Sequence, residues 1–318
     1  MRLDPEQTEA DAALLQLGRR LRADGYRFTC VTPATHAYNN GRPGAEQAHT
    51  LRDIFGWSRP FEPSLISADE LEQLRLAQVI VNEPGGLLSS SVRWSSLDDL
   101  LLVHSAYPTD TADAVFFGPD SYRFADVIHD HLQSRPSRVE HAVDIGCGSG
   151  LGAILIARAA QHAQVSAVDI NPLALRYTAI NAALAGVGNL SVEPSDLLDG
   201  IAGNFDLIVA NPPYMLDGGE RTYRHGGGAL GAQLSLRIVE QARERLSPGG
   251  TLLLYTGVAM VEGRDALLEA IRLRLAGPRW SWVYREIDPD VFGEQLREPG
   301  YQQVERIAAV VLTVTRNG

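Results

Sequence analysis

The chain has 318 residues, 45% hydrophobic, 21% charged and 7% aromatic, which excludes collagen-like and low-complexity classes and is long enough for two domains. Lys and Arg total 28 against 39 Asp and Glu, a net charge of −11, so the overall field repels polyanions and nucleic-acid binding would need a local basic patch. Apolar runs stay far below the roughly 20 residues of a membrane span, and the opening MRLDPEQTEAD has no cationic start leading into an apolar stretch, so no membrane partner and a cytoplasmic location are expected.

Along the chain, Gln7 to Ala23 carries Leu14, Leu15, Leu17 and Leu21 at helical spacing and stops at Gly25. The arginines of this helix (Arg19, Arg20, Arg22) and of a later one (Arg272, Arg274) could form basic patches, but fit the solvated face of an amphipathic helix better. The loop Phe55-Gly56-Trp57-Ser58-Arg59-Pro60-Phe61 either selects a partner or packs its aromatics into the core. Ser67-Ala68-Asp69-Glu70 is a capping box, in which serine and glutamate satisfy exposed amides at a helix start. Ser91 to Trp94 alternates with period two after Gly85-Gly86, and Leu100 to His104 is a second strand. Residues 1–115 therefore read as a small α+β domain, and 116–318 as a second domain.

From Val139 onward strands alternate with helices: Ala142 to Ile145, then helix Ala153 to Ala160; Val165 to Ile170, then helix Pro172 to Leu184. The strand Phe205 to Ala210 is followed by a glycine-rich loop and helix Leu234 to Leu246. After the turn Ser247-Pro248-Gly249-Gly250 comes strand Thr251 to Tyr255. This spacing implies an α/β fold with a parallel sheet covered on both faces. Trp280 to Ile287 and Val304 to Val314 have no comparable helix between them and predict an antiparallel C-terminal hairpin. Ligands of such sheets sit beyond the carboxyl ends of the strands.

Three motifs lie there. In Val143-Asp144-Ile145-Gly146-Cys147-Gly148-Ser149-Gly150-Leu151-Gly152, glycines let the chain turn out of the strand and let a ligand approach the backbone at a helix N-terminus. A dinucleotide reading stays open: G-x-G-x-x-G fails from Gly146 at Leu151, but from Gly148 it becomes G-x-G-x-x-A. Asp169, ending the next strand, could accept hydrogen bonds from a ribose diol or cap the helix at Pro172. Asp196, in Ser195-Asp196-Leu197, could flank an adenine or be a turn residue. The third motif, Asn211-Pro212-Pro213-Tyr214, directly follows a buried strand. A planar amide or aromatic amino nitrogen is a poor nucleophile because its lone pair is delocalised. The Asn211 side-chain oxygen and the Pro212 carbonyl can hold both N–H groups while the prolines fix their positions, with Tyr214 stacked on the planar group. An electrophilic methyl then reacts by in-line displacement, accelerated largely by positioning.

The combination resembles the class I S-adenosylmethionine-dependent methyltransferases, with a Rossmann-like seven-stranded sheet, in the branch carrying N-P-P-Y. Within that branch it is similar to HemK-like glutamine methyltransferases of peptide-release factors and, more distantly, to RNA base N-methyltransferases. The likeness covers about residue 115 to the end. It implies that Gly146, Cys147, Gly148 and Gly150 line the methionine half of S-adenosyl-L-methionine, that Asp144 orients its ammonium group, that Asp169 with Ile170 takes the ribose, and that Asp196 and Leu197 flank the adenine. Asn211, Pro212, Pro213 and Tyr214 would hold the acceptor nitrogen, Asn211 also bordering the cofactor. Phe117 and Arg123, around Gly118-Pro119-Asp120-Ser121-Tyr122-Arg123, would cover it.

Two features depart from that pattern. The glutamine enzymes often carry an acidic residue and glycine after the fifth strand, where this chain has Tyr255-Thr256-Gly257, and their front domain is a helical bundle rather than α+β. The acceptor is accordingly expected to be a protein or an RNA, with residues 1–115 recognising it, and a small metabolite as the alternative. The loop Met215 to Gly231, with Arg221, Arg224 and His225, is expected to form a lid, His225 more often not a base. Cys147 reads as a packing residue, and no His/Cys grouping has zinc spacing, so no metal is expected. A nicotinamide-dependent oxidoreductase would need a hydride-transfer site such as Tyr-x-x-x-Lys, which is lacking, and would leave Asn211 to Tyr214 without a role. A non-catalytic cofactor-binding module would be expected to alter Asn211 or break the glycine loop.

Overall fold

The computed structural model describes residues 8–134, 139–215, 226–227 and 229–318. The front of the chain is mixed, as its pattern predicts. Helix α1 (Glu9–Ala23) starts at Thr8, whose side chain accepts from the Asp11 amide. Helices α2 (Pro33–Asn40), α3 (Leu51–Phe55) and α4 (Ala68–Leu76) follow, then short strands β1 (Ile80–Asn82) and β2 (Leu88–Ser90) and the hairpin β3 (Val92–Leu97) and β4 (Leu100–Ser105). The capping box at Ser67 forms with both reciprocal bonds.

The remainder is built from α5 (Pro119–Ser134), β5 (His141–Ile145), α6 (Leu151–Ala159), β6 (Gln164–Asp169), α7 (Pro172–Ala185), β7 (Leu190–Pro194), β8 (Phe205–Ala210), α8 (Gln233–Arg245), β9 (Leu246–Met260), α9 (Ala266–Arg274), β10 (Trp280–Asp288) and β11 (Arg306–Arg316). Among the described residues these strands form one seven-stranded sheet in the order β10-β11-β9-β8-β5-β6-β7, parallel from β7 to β9, with β11 antiparallel to both neighbours. The expected C-terminal hairpin is there, with β11 inserted between β9 and β10. The predicted turn Ser247 to Gly250 lies within β9 as a register shift: Phe205 pairs with Leu246 but Leu207 with Thr251.

Successive residues of the inner strands serve opposite faces. Ala142, Val165 and Leu207 pack under α5 and α6 with Phe124 and Ile154, while Val143, Ile208 and Leu252 pack under α8 and α9 with Ile238 and Ile271. Burial on both sides is why these strands read as continuous apolar runs. Helix α7 has a third environment: Ala174, Tyr177, Ile180 and Leu184 meet Leu14, Trp94 and Leu101 of the front segment. Asn181 ties the two parts together, accepting from the Val103 amide (2.8 Å) and donating to the carbonyls of Val103 (3.0 Å) and Ser149 (2.8 Å).

The structure decides several open points. Phe55 and Phe61 are buried, Trp57 is half-buried and stands edge-on to Phe28 at 5.1 Å, and Arg59 pairs with Asp53 at 2.9 Å, so the loop's phenylalanines pack into the core. Arg20 pairs with Glu70, Arg22 donates to the Leu184 carbonyl and Arg274 pairs with Glu240, so these three arginines are tethered. Among the described residues no helix is long and apolar enough to cross a membrane.

Candidate functional site

The chain runs from β5 to β6 and β7 on one side and to β8 and β9 on the other, so the strand order reverses between β5 and β8. The crevice beyond their carboxyl ends is where such a sheet binds its ligand. A cavity of about 230 Å³ opens there.

Its floor is the turn after β5. The amides of Gly146 and Cys147 both donate to the Val168 carbonyl, at 2.9 and 3.0 Å, which pins the turn to β6. Gly146 and Gly148 adopt φ of 66° and 55°, a region that L side chains rarely occupy, and a Cβ at Gly146 would meet no protein atom within 4 Å. The backbone is thus bare toward the cavity. Gly150 is a different case. A Cβ on it would lie 2.7 Å from the Thr178 methyl group, so it lets α6 and α7 pack closely behind the turn and is not part of the cavity wall. Gly152 takes the place on the wall that the motif suggested for Gly150.

Asp144 is buried beside Gly152, its Oδ2 accepting from the Ala153 amide at 2.9 Å, and burial pushes its carboxyl up to about 7. Asp169 also lines the cavity. Its Oδ2 accepts from the Gly148 amide (3.0 Å) and its Oδ1 from the Asn171 amide (2.9 Å), and burial raises its pKa. The cap of α7 is Asn171, whose Oδ1 accepts from Leu173, so Asp169 holds the glycine turn instead of the helix end. Ile170, 61% exposed, forms the rim. Leu197 lies buried on the wall at φ 50°, while Asp196 is exposed at the mouth and pairs with Arg237 at 3.1 Å. Cys147 is buried with Sγ 3.3 Å from the Thr178 hydroxyl, and burial pushes its thiol well up, which suits packing and not nucleophilic attack.

Asn211, Pro212, Pro213 and Tyr214 leave β8 into the same cavity. The half-buried Asn211 side chain makes no hydrogen bond among the described residues, which leaves its amide group available to a ligand. Tyr214 is not a free stacking ring. Its hydroxyl donates to Asp120 Oδ2, and its edge meets Phe292 with centroids 6.1 Å apart. Tyr255 donates to Asp120 Oδ1 at 2.7 Å and Arg123 donates to the same oxygen at 3.1 Å. Tyr214 is therefore a fixed wall, held by a buried carboxylate that the sequence reading did not single out.

The loop before α5 also needs correction. Phe117 turns inward, stacked on His104 at 5.1 Å, and Phe116 faces the cavity in its place. Arg123 is held between Asp120 and Asp288 and lines an adjoining cavity, so Asp120 and Ser121, not Phe117 and Arg123, are this loop's contribution. Arg221, Arg224 and His225 lie outside the described residues. On either side of that stretch the Gly226 amide donates to the Met215 carbonyl at 2.9 Å. No group of His, Cys, Asp and Glu able to hold a metal occurs among the described residues.

The Tyr214 wall depends on Gly257 of β9, since a Cβ there would lie 2.2 Å from the tyrosine ring. Gly257→Ala should expel the ring and break its bond to Asp120. We expect a loss of about 2–4 kcal/mol in urea unfolding, from overpacking plus a broken charge-assisted hydrogen bond. A variant as stable as the parent would show that the ring is not clamped.

Residues 123–269 match the family described as Methyltransferase small domain. The chain is 36% identical to the release factor glutamine methyltransferase of Deinococcus radiodurans over 50% of this chain and 57% of that protein. It is 39% identical to the ribosomal protein uL3 glutamine methyltransferase of Bordetella pertussis over 38% of this chain and 45% of that protein. The chain thus spans about half the length of these relatives. Its fold is shared with the SAM-dependent methyltransferase of Agrobacterium tumefaciens, at a TM-score of 0.50 and 16% identity over 77% of this chain and 79% of that one.

Proposed function

We propose that this chain is an S-adenosyl-L-methionine-dependent N-methyltransferase acting on a planar nitrogen, most directly the side-chain amide of a protein glutamine. The observation that carries the reading is the Asn211 amide, without a hydrogen bond among the described residues, on a proline-stiffened corner that lines one cavity with the bare glycine turn and Asp169. The residues fit the cofactor. A Cβ-free turn lets a ligand lie against the backbone, Asp144 and Asp169 offer acceptors for an ammonium group and a diol, and Ile170 and Leu197 offer apolar faces for a base. When bound, the cofactor supplies a methyl group on a positively charged sulfur. Asn211 Oδ1 and the Pro212 carbonyl accept the two N–H groups of the acceptor amide, turning its lone pair out of the amide plane toward the methyl carbon. Tyr214 and Phe292 wall that space against water.

A protein acceptor suits the chain better than RNA, because the net charge is −11 and Arg20, Arg22 and Arg274 of the arginine runs are already engaged. A nicotinamide reading has no support in residues: the chain contains no lysine for a Tyr-x-x-x-Lys site. Residues 1–115 would select the acceptor, and the buried free thiols Cys30 and Cys147 suit the reducing cytoplasm. The test is to offer the protein and methyl-labelled S-adenosylmethionine to a lysate. Label in a protease-sensitive, RNase-resistant fraction supports the reading. Label in RNA or in small molecules alone, or none at all, rejects it.

Asp144 gives the reading a pH signature. Its carboxyl stands at about 7 when folded against an ordinary value of 3.8, so the folded protein holds an extra proton between those values, and this residue's contribution to stability falls as pH rises through that window. A cationic ligand docking on the carboxylate must expel that proton. Affinity for S-adenosylmethionine should therefore climb by up to about tenfold per pH unit below 7 and level off above it, with proton release in calorimetry below 7. Asp144→Asn should flatten the profile. An unchanged slope in that variant would remove Asp144 from the cation's site.

A further inference from the structure

A second cavity, of about 170 Å³, opens beside the first and shares Phe116, Asp120, Phe292 and Glu294 with it. Its far wall belongs to the front segment and includes Cys30 and Arg93. Arg93 lies on β3 opposite His104 and is 4% exposed. Its Nε and Nη2 find no hydrogen-bond partner and no carboxylate pairs with it among the described residues. The ring of Phe28 lies 5.3 Å from the guanidinium carbon, and the neutral Cys30 thiol, raised by burial and drawn back by Arg93, neighbours it.

An arginine cannot shed its proton to escape this burial. A buried charge is costly unless it is paired, and a ring face recovers only part of that cost. The neighbours register the uncompensated charge. His36 is lowered to about 4 by burial and by Arg93 and Arg59, and His104 is driven down by burial and Arg93, so both stay neutral. Among the described residues the charge thus lacks an anion, and it borders a cavity that shares Phe116, Asp120, Phe292 and Glu294 with the one lined by the acceptor corner.

We propose that this second cavity is the acceptor's specificity pocket, where Arg93 takes a carboxylate that the acceptor carries beside the nitrogen held by Asn211. The position of that nitrogen rests on the methyltransferase reading above; the carboxylate does not. A carboxylate fits better than a phosphate because the exposed Asp290 and Glu294 stand on the cavity walls and Asp120 lies within them, so a second negative charge would be repelled. The bidentate fork of arginine matches a carboxylate's two oxygens.

The full chain is titrated by calorimetry with three probes: N-acetylglutamine, which has a carboxamide and a free carboxylate; acetyl-Glu-Gln-amide, whose carboxylate is a peptide side chain; and the neutral N-acetylglutaminamide. At least one acid should bind tenfold or more tighter than the neutral probe, and which acid wins tells a free carboxylate from an acidic neighbour in a peptide. The preference should vanish in Arg93→Met, which keeps apolar volume, and persist in part in Arg93→Lys. Should Arg93→Met fail to fold, the Arg93 Nε–H resonance of the parent protein must still shift with the acids and not with the neutral probe. Equal binding of all three probes, a preference untouched by Arg93→Met, or tighter binding of inorganic phosphate overturns the proposal. Methyl transfer is scored separately: acid-selective binding without transfer keeps the pocket and rejects the glutamine reading, whereas equal transfer to acid and neutral probes does the reverse.

Discussion

Replacing Asn211 by alanine should lower methyl transfer about 10²- to 10³-fold while S-adenosylmethionine binds nearly as before. The expectation follows from what the side chain does and does not touch. Asn211 makes no hydrogen bond among the described residues, so its removal leaves no protein group stranded and should cost little stability. Its oxygen is needed only when an acceptor amide must be held with its nitrogen pyramidalising, an interaction that strengthens toward the transition state. Removing one such preorganised hydrogen-bonding group typically costs about 3–4 kcal/mol in rate. Asn211→Asp separates geometry from charge: its oxygen remains, but a carboxylate would attract the cofactor's cation and tighten the ground state, so kcat should fall without a rise in the cofactor's Kd. Calorimetry beside a methyl-transfer assay on the fraction labelled in lysate reads both quantities. Full activity in the alanine variant would strip the corner of its role.

Which parts of this site are legible in the sequence follows from how local each one is. The strand-turn-helix at Gly146 and the corner at Asn211 are contiguous runs whose geometry is set by their own glycines and prolines, and the structure brings both to one cavity. Asp169 is read as lining the site because it ends a strand, yet its bonds to the amides of Gly148 and Asn171 depend on two separate loops. The Asp120 cluster is not local at all. Tyr214 follows β8, Tyr255 lies in β9 and Asp120 opens α5, so no spacing announces that one carboxylate will hold both hydroxyls. The signal that could have found it is Tyr255-Thr256-Gly257: the tyrosine supplies a donor and the glycine clears room for the Tyr214 ring. Phe116 and Phe117 are adjacent, and only packing against His104 decides which of them turns inward. The strands β1 and β2 have three residues each, too short to show a period. Arg93 looks like a polar residue in an alternating strand, and its burial becomes visible only when the front segment closes over it.

Asp169→Ala should weaken S-adenosylmethionine binding about 100-fold, and the structure makes that effect larger than the loss of one ligand contact. The carboxylate accepts from the Gly148 and Asn171 amides while still lining the cavity. Its removal deletes an acceptor for the ribose and releases the turn that the cofactor lies on, and charge-assisted hydrogen bonds of this kind are worth about 1.5–3 kcal/mol each. Asp169→Asn divides the two contributions. Its single oxygen can keep one amide, and its NH2 group can only donate, so the turn stays partly held while the diol loses an acceptor. If the ribose contact dominates, the asparagine variant should bind almost as weakly as the alanine one. If holding the turn dominates, it should recover most of the affinity. Hydrogen exchange at Gly148 reports the turn independently of any ligand: it should speed up in Asp169→Ala whether or not binding fails. Faster exchange with unchanged affinity would mean that the carboxylate shapes the floor and touches nothing bound there, which would remove Asp169 from cofactor recognition.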